Sequence, residues 1–293
     1  MNLPPLELSD WEDSRLKWQL ICQMIGKVRL KTHPFMNHWW HVPLYPSPHG
    51  LTTADIPYKG GIFSVDVDIL GSLIRIETSK PQIIEIPLGS QPFCEIYEDF
   101  RRCLRDVGVE VKIWAQPYKC KSTIPFAQDE QHCGWDIEAV TKAWRILTEI
   151  EPVFKEFRSR FIGKCSPVHM FWHSFDLAVT RFSGRRAPPM PEADHTTQEA
   201  YSHEVNSAGF WFGDDNMREA AFYCYTAPAP AGLTDQPLRP ANAFWNEQKM
   251  ALLRYNDLRE SQDPKRDLLE FLQSSYEAGV NAADWDRALL ERN

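Results

Sequence analysis

Three stretches of the chain set side chains that can move protons or hold charge beside large aromatic rings. The first is Asn37-His38-Trp39-Trp40-His41, followed by Tyr45 and His49. Neutral imidazole binds zinc or iron and transfers protons near neutral pH. His38 and His41 are therefore candidate catalytic groups, and Trp39 and Trp40 candidate walls of a binding site. On an extended strand the two histidines face opposite sides, so they can share a metal only if the backbone turns there. The second stretch runs from Cys165 through His169, Trp172, His173 and Asp176 to Thr180-Arg181-Phe182-Ser183-Gly184-Arg185-Arg186. A guanidinium fork matches a carboxylate or phosphate with two parallel hydrogen bonds, which makes Arg181, Arg185 and Arg186 candidate anchors for an anionic ligand. Pairing with some of the chain's 40 acidic residues is the plainer reading of each arginine taken singly. Cys165 lies near histidine, but neither a G-x-S-x-G elbow nor a cysteine-protease signature accompanies it. The third stretch, Tyr201 to Trp211, offers Tyr201 and Trp211 as walls and His203 and Glu204 as catalytic candidates. Ser202, His203 and Glu204 are not a triad, because neighbours on a strand point to opposite faces.

The elements that must position these groups follow from periodicity and punctuation. Ser9 and Glu12 read as a capping box, Trp11, Trp18, Ile21, Cys22 and Ile25 recur at helical spacing, and Gly26 reads as the helix end. Phe63, Val65, Val67 and Ile69 alternate with polar residues, and with 73–78 and 83–88 they predict an antiparallel meander. Ser90-Gln91-Pro92 opens a helix that closes at Gly108, and a short strand is expected over 109–114. Asp136 caps the next helix, which Pro152 either kinks or divides. Residues 168–182 alternate for many residues and read as one long strand, with His169, Phe171, His173, Phe175, Leu177, Val179 and Arg181 on one face, although His169, Trp172, His173 and Asp176 would also share a helical face. Further strands are expected within 201–212, 220–226 and 249–255. Asp263-Pro264 starts an amphipathic helix that ends at Gly279.

Both halves begin with a Trp-bearing helix and Ile-Gly-Lys (Ile25-Gly26-Lys27 and Ile162-Gly163-Lys164), then reach a Trp-His step (Trp40-His41 and Trp172-His173). The expected fold is α+β, with two similarly built halves of helix, antiparallel strands and helix, a pattern that fits an internal duplication packed as one body. The expected division is 1–118 and 136–293, with 119–135 as the connection.

Composition narrows the function. The chain has 293 residues, 43% hydrophobic and 25% charged, which excludes disordered and membrane-dominated classes. A net charge of −8 argues against nucleic acid or an anionic membrane surface as the main partner. Seven scattered cysteines without a C-x-x-C pair fit free thiols in a reducing compartment. The start MNLPPLELSDWEDSR lacks a basic region followed by an apolar stretch, so a cytoplasmic location is expected.

GKVRLKTHPFMNHWWHVPLYPSPHGLTTADIPY, FIGKCSPVHMFWHSFDLAVTRFSGRRAPP and EAYSHEVNSAGFW together resemble the bacterial family catalogued as domain of unknown function 5996, over essentially the whole chain. The resemblance implies one full-length unit and brings no activity, cofactor or ligand set with it. The family pattern often has glycine after the second Trp, where this chain has His173, and that counts against His173 as an essential group. His38, His41, His169, Asp176, His203 and the three arginines lie within matching segments. Three functions stay open. The first is a small-molecule site between the halves, binding or catalytic, with Trp walls, histidines for proton transfer and arginines for an anion. The second is a metal-dependent enzyme using the histidines with Glu204 or Asp176. The third is an interaction protein whose extended proline-rich segment, 226–241, docks a partner. The sequence names no cofactor and leaves the oligomeric state open.

Overall fold

The structure, a computed structural model, describes residues 1–292. Its centre is α1 (Glu12–Thr32), buried without interruption from Ser14 to Arg29. A helix buried all round is expected to be apolar, yet this one carries Arg15, Lys17, Gln19, Gln23, Lys27 and Arg29. Buried polar groups are costly unless hydrogen-bonded, and most of these donate to backbone carbonyls of surrounding loops. Lys17 reaches Gly89 O and Gln91 O at 2.7 and 2.6 Å. Gln19 reaches His173 O, Gln23 reaches Tyr118 O, Lys27 reaches Trp114 O and Arg29 reaches His41 O, all at 2.8–3.1 Å. The central helix therefore fixes loops that no regular element holds.

The sequence placed the end of α1 at Gly26, and the helix instead continues to Thr32. Glycine stands there because the Trp172 indole lies on it: a Cβ would meet Trp172 Cδ1 at 2.1 Å. The expected capping box is also absent, since the N-cap position is Trp11 and Ser9 Oγ bonds Asp10 instead.

Two six-stranded antiparallel sheets flank this helix. The first contains β1 (Tyr45–Pro46), β2 (Gly50–Thr52), β3 (Ile56–Tyr58), β4 (Gly61–Asp68), β5 (Leu73–Thr78) and β6 (Ile83–Pro87). Its order is β1-β2-β4-β5-β6, with β3 on β4, and the expected meander is β4 to β6. Helix α2 (Phe93–Asp106) follows as expected and ends at Gly108, where φ is +80°; residues 109–114 form no strand. The connection 119–135 is partly built in, since Phe126 is buried against Phe93 and Tyr97.

Helix α3 (Ile137–Ser159) is capped by Asp136, whose carboxylate accepts from Glu138 N and Ala139 N, and it runs unbroken through Pro152. The second sheet contains β7 (His169–Phe171), β8 (Asp176–Arg186), β9 (His203–Trp211), β10 (Ala221–Ala227), β11 (Phe244–Trp245) and β12 (Ala251–Arg254), in the order β11-β12-β10-β9-β8-β7. Helix α4 (His195–Ala200) precedes β9, and α5 (Tyr255–Arg259), α6 (Pro264–Ala282) and α7 (Arg287–Leu290) close the chain. The single long strand expected over 168–182 is a hairpin, with Phe175 at φ +57° in its turn. The turn reverses the alternation, so Phe171 faces the same side as its partner Asp176 and not the side of Leu177.

Helices α3 and α6 cover one face of the second sheet. The two sheets meet where Leu44 and Met170 exchange backbone hydrogen bonds of 2.9 and 2.7 Å, and one hydrophobic cluster runs through both. The fold is α+β, as expected. The residues that suggested a duplication occupy unlike places, however. Gly26 is inside α1 and Gly163 in a loop, while Trp40 ends a 3-10 turn and Trp172 starts the β7–β8 turn. The strand orders differ as well, and the duplication finds no support.

Candidate functional site

The face of the second sheet that the helices leave free is the floor of a groove of about 710 Å³. Cross-strand register assigns its rows. Asp176 pairs with Trp211, Ala178 with Gly209 and Tyr223, Thr180 with Ser207 and Tyr225, and Phe182 with Val205. At about 3.3 Å per residue, the six steps from Asp176 to Phe182 make this floor about 20 Å long. The polar groups on it are paired with one another. Tyr223 and Ser174 both donate hydroxyl protons to Asp176, Tyr201 and Tyr225 share a hydrogen bond of 2.9 Å, and Thr180 and Ser207 share one of 2.8 Å. Burial pushes the Tyr223 and Tyr225 phenols well above their usual range, so both stay O–H groups.

Gly209 makes the arrangement at Asp176 possible. The Tyr223 ring leans across it, and a Cβ there would meet Tyr223 Cζ and Oη at 2.3 Å. Any side chain at 209 would lift the phenol away from the carboxylate.

The walls come from segments distant in sequence. Lys27, Leu30 and Lys31 are contributed by α1, and Trp114, Tyr118 and Lys119 by the irregular segment that replaces the expected strand. Lys27 donates to Trp114 O at 3.1 Å and to Gln116 O, and its ammonium lies over the Trp114 and Phe126 rings. Burial lowers its pKa to about 8. The β7–β8 turn supplies Trp172, His173 and Ser174. Trp172 is fixed by Gly26 and by its indole N–H on Val42 O, and His173 stacks parallel to Tyr118 with ring centres 6.1 Å apart. The far wall is a 3-10 turn, Asn37–Trp39, in which His38 and Trp39 take φ of 56° and 62°. Helix α4 pins that turn: Glu199 accepts from His38 N at 2.8 Å, and Trp39 Nε1 donates to Thr196 O at 3.0 Å.

The structure thus brings His38, Trp39, Trp40, Trp172, Asp176, Tyr201 and Trp211 to one groove. His38 is firmly held, with Nδ1 3.2 Å from Glu199 O and Nε2 2.6 Å from the Lys164 ammonium. That pattern selects the Nδ1–H tautomer, and burial together with Lys164 lowers the imidazole pKa. The remaining sequence candidates lie elsewhere. His41 is buried against Met36 behind the turn. His169 is fully buried with no partner on either nitrogen among the described residues, and burial takes its pKa down to about 3. His203 packs edge-on to His38, ring centres 5.5 Å apart, and does not line the groove. Glu204 pairs with Arg185 at 2.8 Å, and Arg185 also donates to Ala283 O and Asp284 O at the end of α6. Arg186 is exposed at the end of β8. Arg181 points to the helix-covered face, its guanidinium 3.5 Å from the Phe157 ring centre and 4.3 Å from that of Tyr276. None of the three arginines lines the groove, so none can anchor an anion in it.

Sequence inspection passed over Tyr223, Tyr225, Trp114 and Tyr118 and set His173 aside, yet all five line the groove. The available signal was Phe222-Tyr223-Cys224-Tyr225-Thr226, where hydroxyl-bearing rings alternate with the buried side of a strand. Among the described residues no three His, Cys, Asp or Glu side chains are grouped to hold a metal ion, so the histidines named for that role do not assemble. Ser174 Oγ lies 3.3 Å from His173 Nδ1 and donates to Asp176, but the serine stands between acid and histidine, whereas nucleophile activation needs the histidine in the middle. The proline-rich segment is also committed within the chain: Leu233 is buried, and Arg239 exchanges backbone hydrogen bonds with the Ser274 hydroxyl of α6. No helix among the described residues is long and apolar enough to cross a membrane. The arrangement can hold a ring between aromatic faces and offer it hydroxyls and, on the floor, the Asp176 carboxylate.

No curated protein and no solved structure matches the chain. The profile of a family described as a family of unknown function (DUF5996) matches residues 3–292, and the chain belongs to that family.

Proposed function

We propose that the protein binds a small ring-bearing molecule in the groove between its 1–118 and 136–293 portions. The observation that carries this is the combination of a cavity of about 710 Å³ with a lining rich in aromatic rings and a few converging polar groups. Small-molecule sites are commonly 300–1,000 Å³, apolar, and provided with a small number of placed polar groups. The positive φ values at His38 and Trp39 add support, because strained backbone persists only where surrounding contacts impose it and is concentrated at ligand sites. Aromatic walls favour a flat or ring-shaped ligand, and the hydroxyl pairs on the floor favour one carrying hydrogen-bonding groups.

The test is a ligand-observed NMR screen of ring-bearing fragments against the full chain, repeated with Thr180→Phe, which fills the middle of the floor, and with Arg185→Ala, which changes a residue outside it. Hits are expected to survive Arg185→Ala and to disappear with Thr180→Phe. Hits indifferent to Thr180→Phe place binding elsewhere and overturn the proposal.

A further inference from the structure

The charges around the groove differ in depth, and depth decides which of them a ligand meets. Lys31, Lys119 and Asp214 are exposed at the rim, where salt and water screen them. The Lys27 ammonium is already taken up by two backbone carbonyls and three ring faces. Asp176 is the deep charge. It is 7% exposed, and among the described residues no lysine, arginine or histidine nitrogen comes within ion-pair distance of it. Its neighbours are two hydroxyl donors, one on each oxygen. A carboxylate has about four acceptor positions, so about half remain free on a group that is buried and lacks a counter-charge.

The rings around it complete the picture. Trp211 is its cross-strand partner, Trp211 and Tyr223 lie 5.7 Å apart, and Tyr223 stacks on Tyr225 at 6.1 Å. Faces of Trp and Tyr attract a cation through the ring quadrupole, and a carboxylate among such faces is the arrangement that recognises organic ammonium groups. We infer that the groove takes a ring-bearing amine, whose ammonium N–H groups occupy the free acceptor positions of Asp176 while its ring lies along Trp211, Tyr223 and Tyr225. This rests on the ligand-binding reading above and reverses the charge expected from the arginines.

The test titrates the full chain with phenethylamine, 2-phenylethanol and phenylacetate, which share a ring and differ in charge, at physiological ionic strength by calorimetry. The amine is expected to bind about tenfold more tightly than the alcohol, and the acetate most weakly. Asp176→Asn should erase the advantage of the amine over the alcohol; the three-ligand comparison in the unsubstituted protein stands even if that variant folds poorly. An alcohol or acetate that binds as well as the amine, and is displaced by Thr180→Phe, overturns the ammonium assignment while keeping the groove. Binding that Thr180→Phe leaves intact overturns the groove as the site, and absence of saturable amine binding overturns the ammonium assignment.

Discussion

Strand β8 carries a charged residue toward each side of the sheet, and the two have opposite surroundings. Asp176 faces the groove with its carboxylate on the hydroxyls of Ser174 and Tyr223, while Arg181 faces α3 and α6, sealed by Phe157, Phe161 and Tyr276 and donating to Phe157 O. Burial is similar, 7% and 1% exposed. Access is what differs: one group ends at a cavity and the other at the packed ends of helices. A buried charge is therefore a pointer to function only when something from outside can reach it.

The largest effect is expected for Arg181→Ala. If the helix-covered side is structural, this change removes a ring-stacked side chain and leaves a cavity, and it should cost about 3–5 kcal/mol, read as a lower denaturant midpoint. A small stability loss with loss of ligand binding would show that Arg181 belongs to the site after all. Gly209→Ala comes next. It forces a methyl group into the Tyr223 ring and should cost about 1–3 kcal/mol, and because the phenol leaves Asp176 it should also weaken fragment binding. Unchanged binding would mean that the Tyr223–Asp176 contact does not shape the groove.

A third prediction concerns His169, which points to the groove side of the sheet yet has no access to it. Unfolded, its pKa is near 6.5; in the fold it is about 3. Between those values the unfolded chain binds the proton and the folded chain does not. The contribution of His169 is thus fully present above about pH 6.5 and is lost as pH falls toward 3, at about 1.4 kcal/mol per pH unit. His169→Leu should flatten that slope in denaturant titrations at pH 5 to 7; an unchanged slope would show that another group sets it. The smallest effect is expected for Tyr201→Phe. The Tyr225 hydroxyl it abandons lies at an open groove where water can replace the bond, so stability should fall by only about 0.5 kcal/mol. A loss as large as that of Arg181→Ala would abolish the distinction between the two faces.

Much of the architecture is legible in the residues themselves. The β4–β6 meander, the Asp136 cap of α3 and the Asp263-Pro264 start of α6 follow from alternation and capping chemistry, because those signals are local. The misread glycines have one cause. Gly26 and Gly279 read as helix ends, but glycine stands there for close approach, to the Trp172 indole in one case and to Thr226 Oγ1 at 2.0 Å in the other. Neither contact leaves a mark in the surrounding sequence. The alternation of 168–182 likewise hid a turn, and that turn moved His169 and Phe171 to the face of Asp176, away from Arg181.

By itself the sequence determined the α+β class, most of the strands and helices, and the aromatic-rich segments from which a site would be built. Periodicity and capping act over a few residues, so they can be read in order along the chain. Which of those residues meet is set by register and packing between elements far apart in the chain. The tertiary fold placed Tyr223 and Tyr225 beside Asp176 through register, and it left the guanidinium of Arg181 among rings on the far side. It also fixed the groove's walls through hydrogen bonds from a buried helix to loops far away in sequence. A side chain's face depends on the parity of every turn before it, and its access depends on what packs above it. Neither quantity is local.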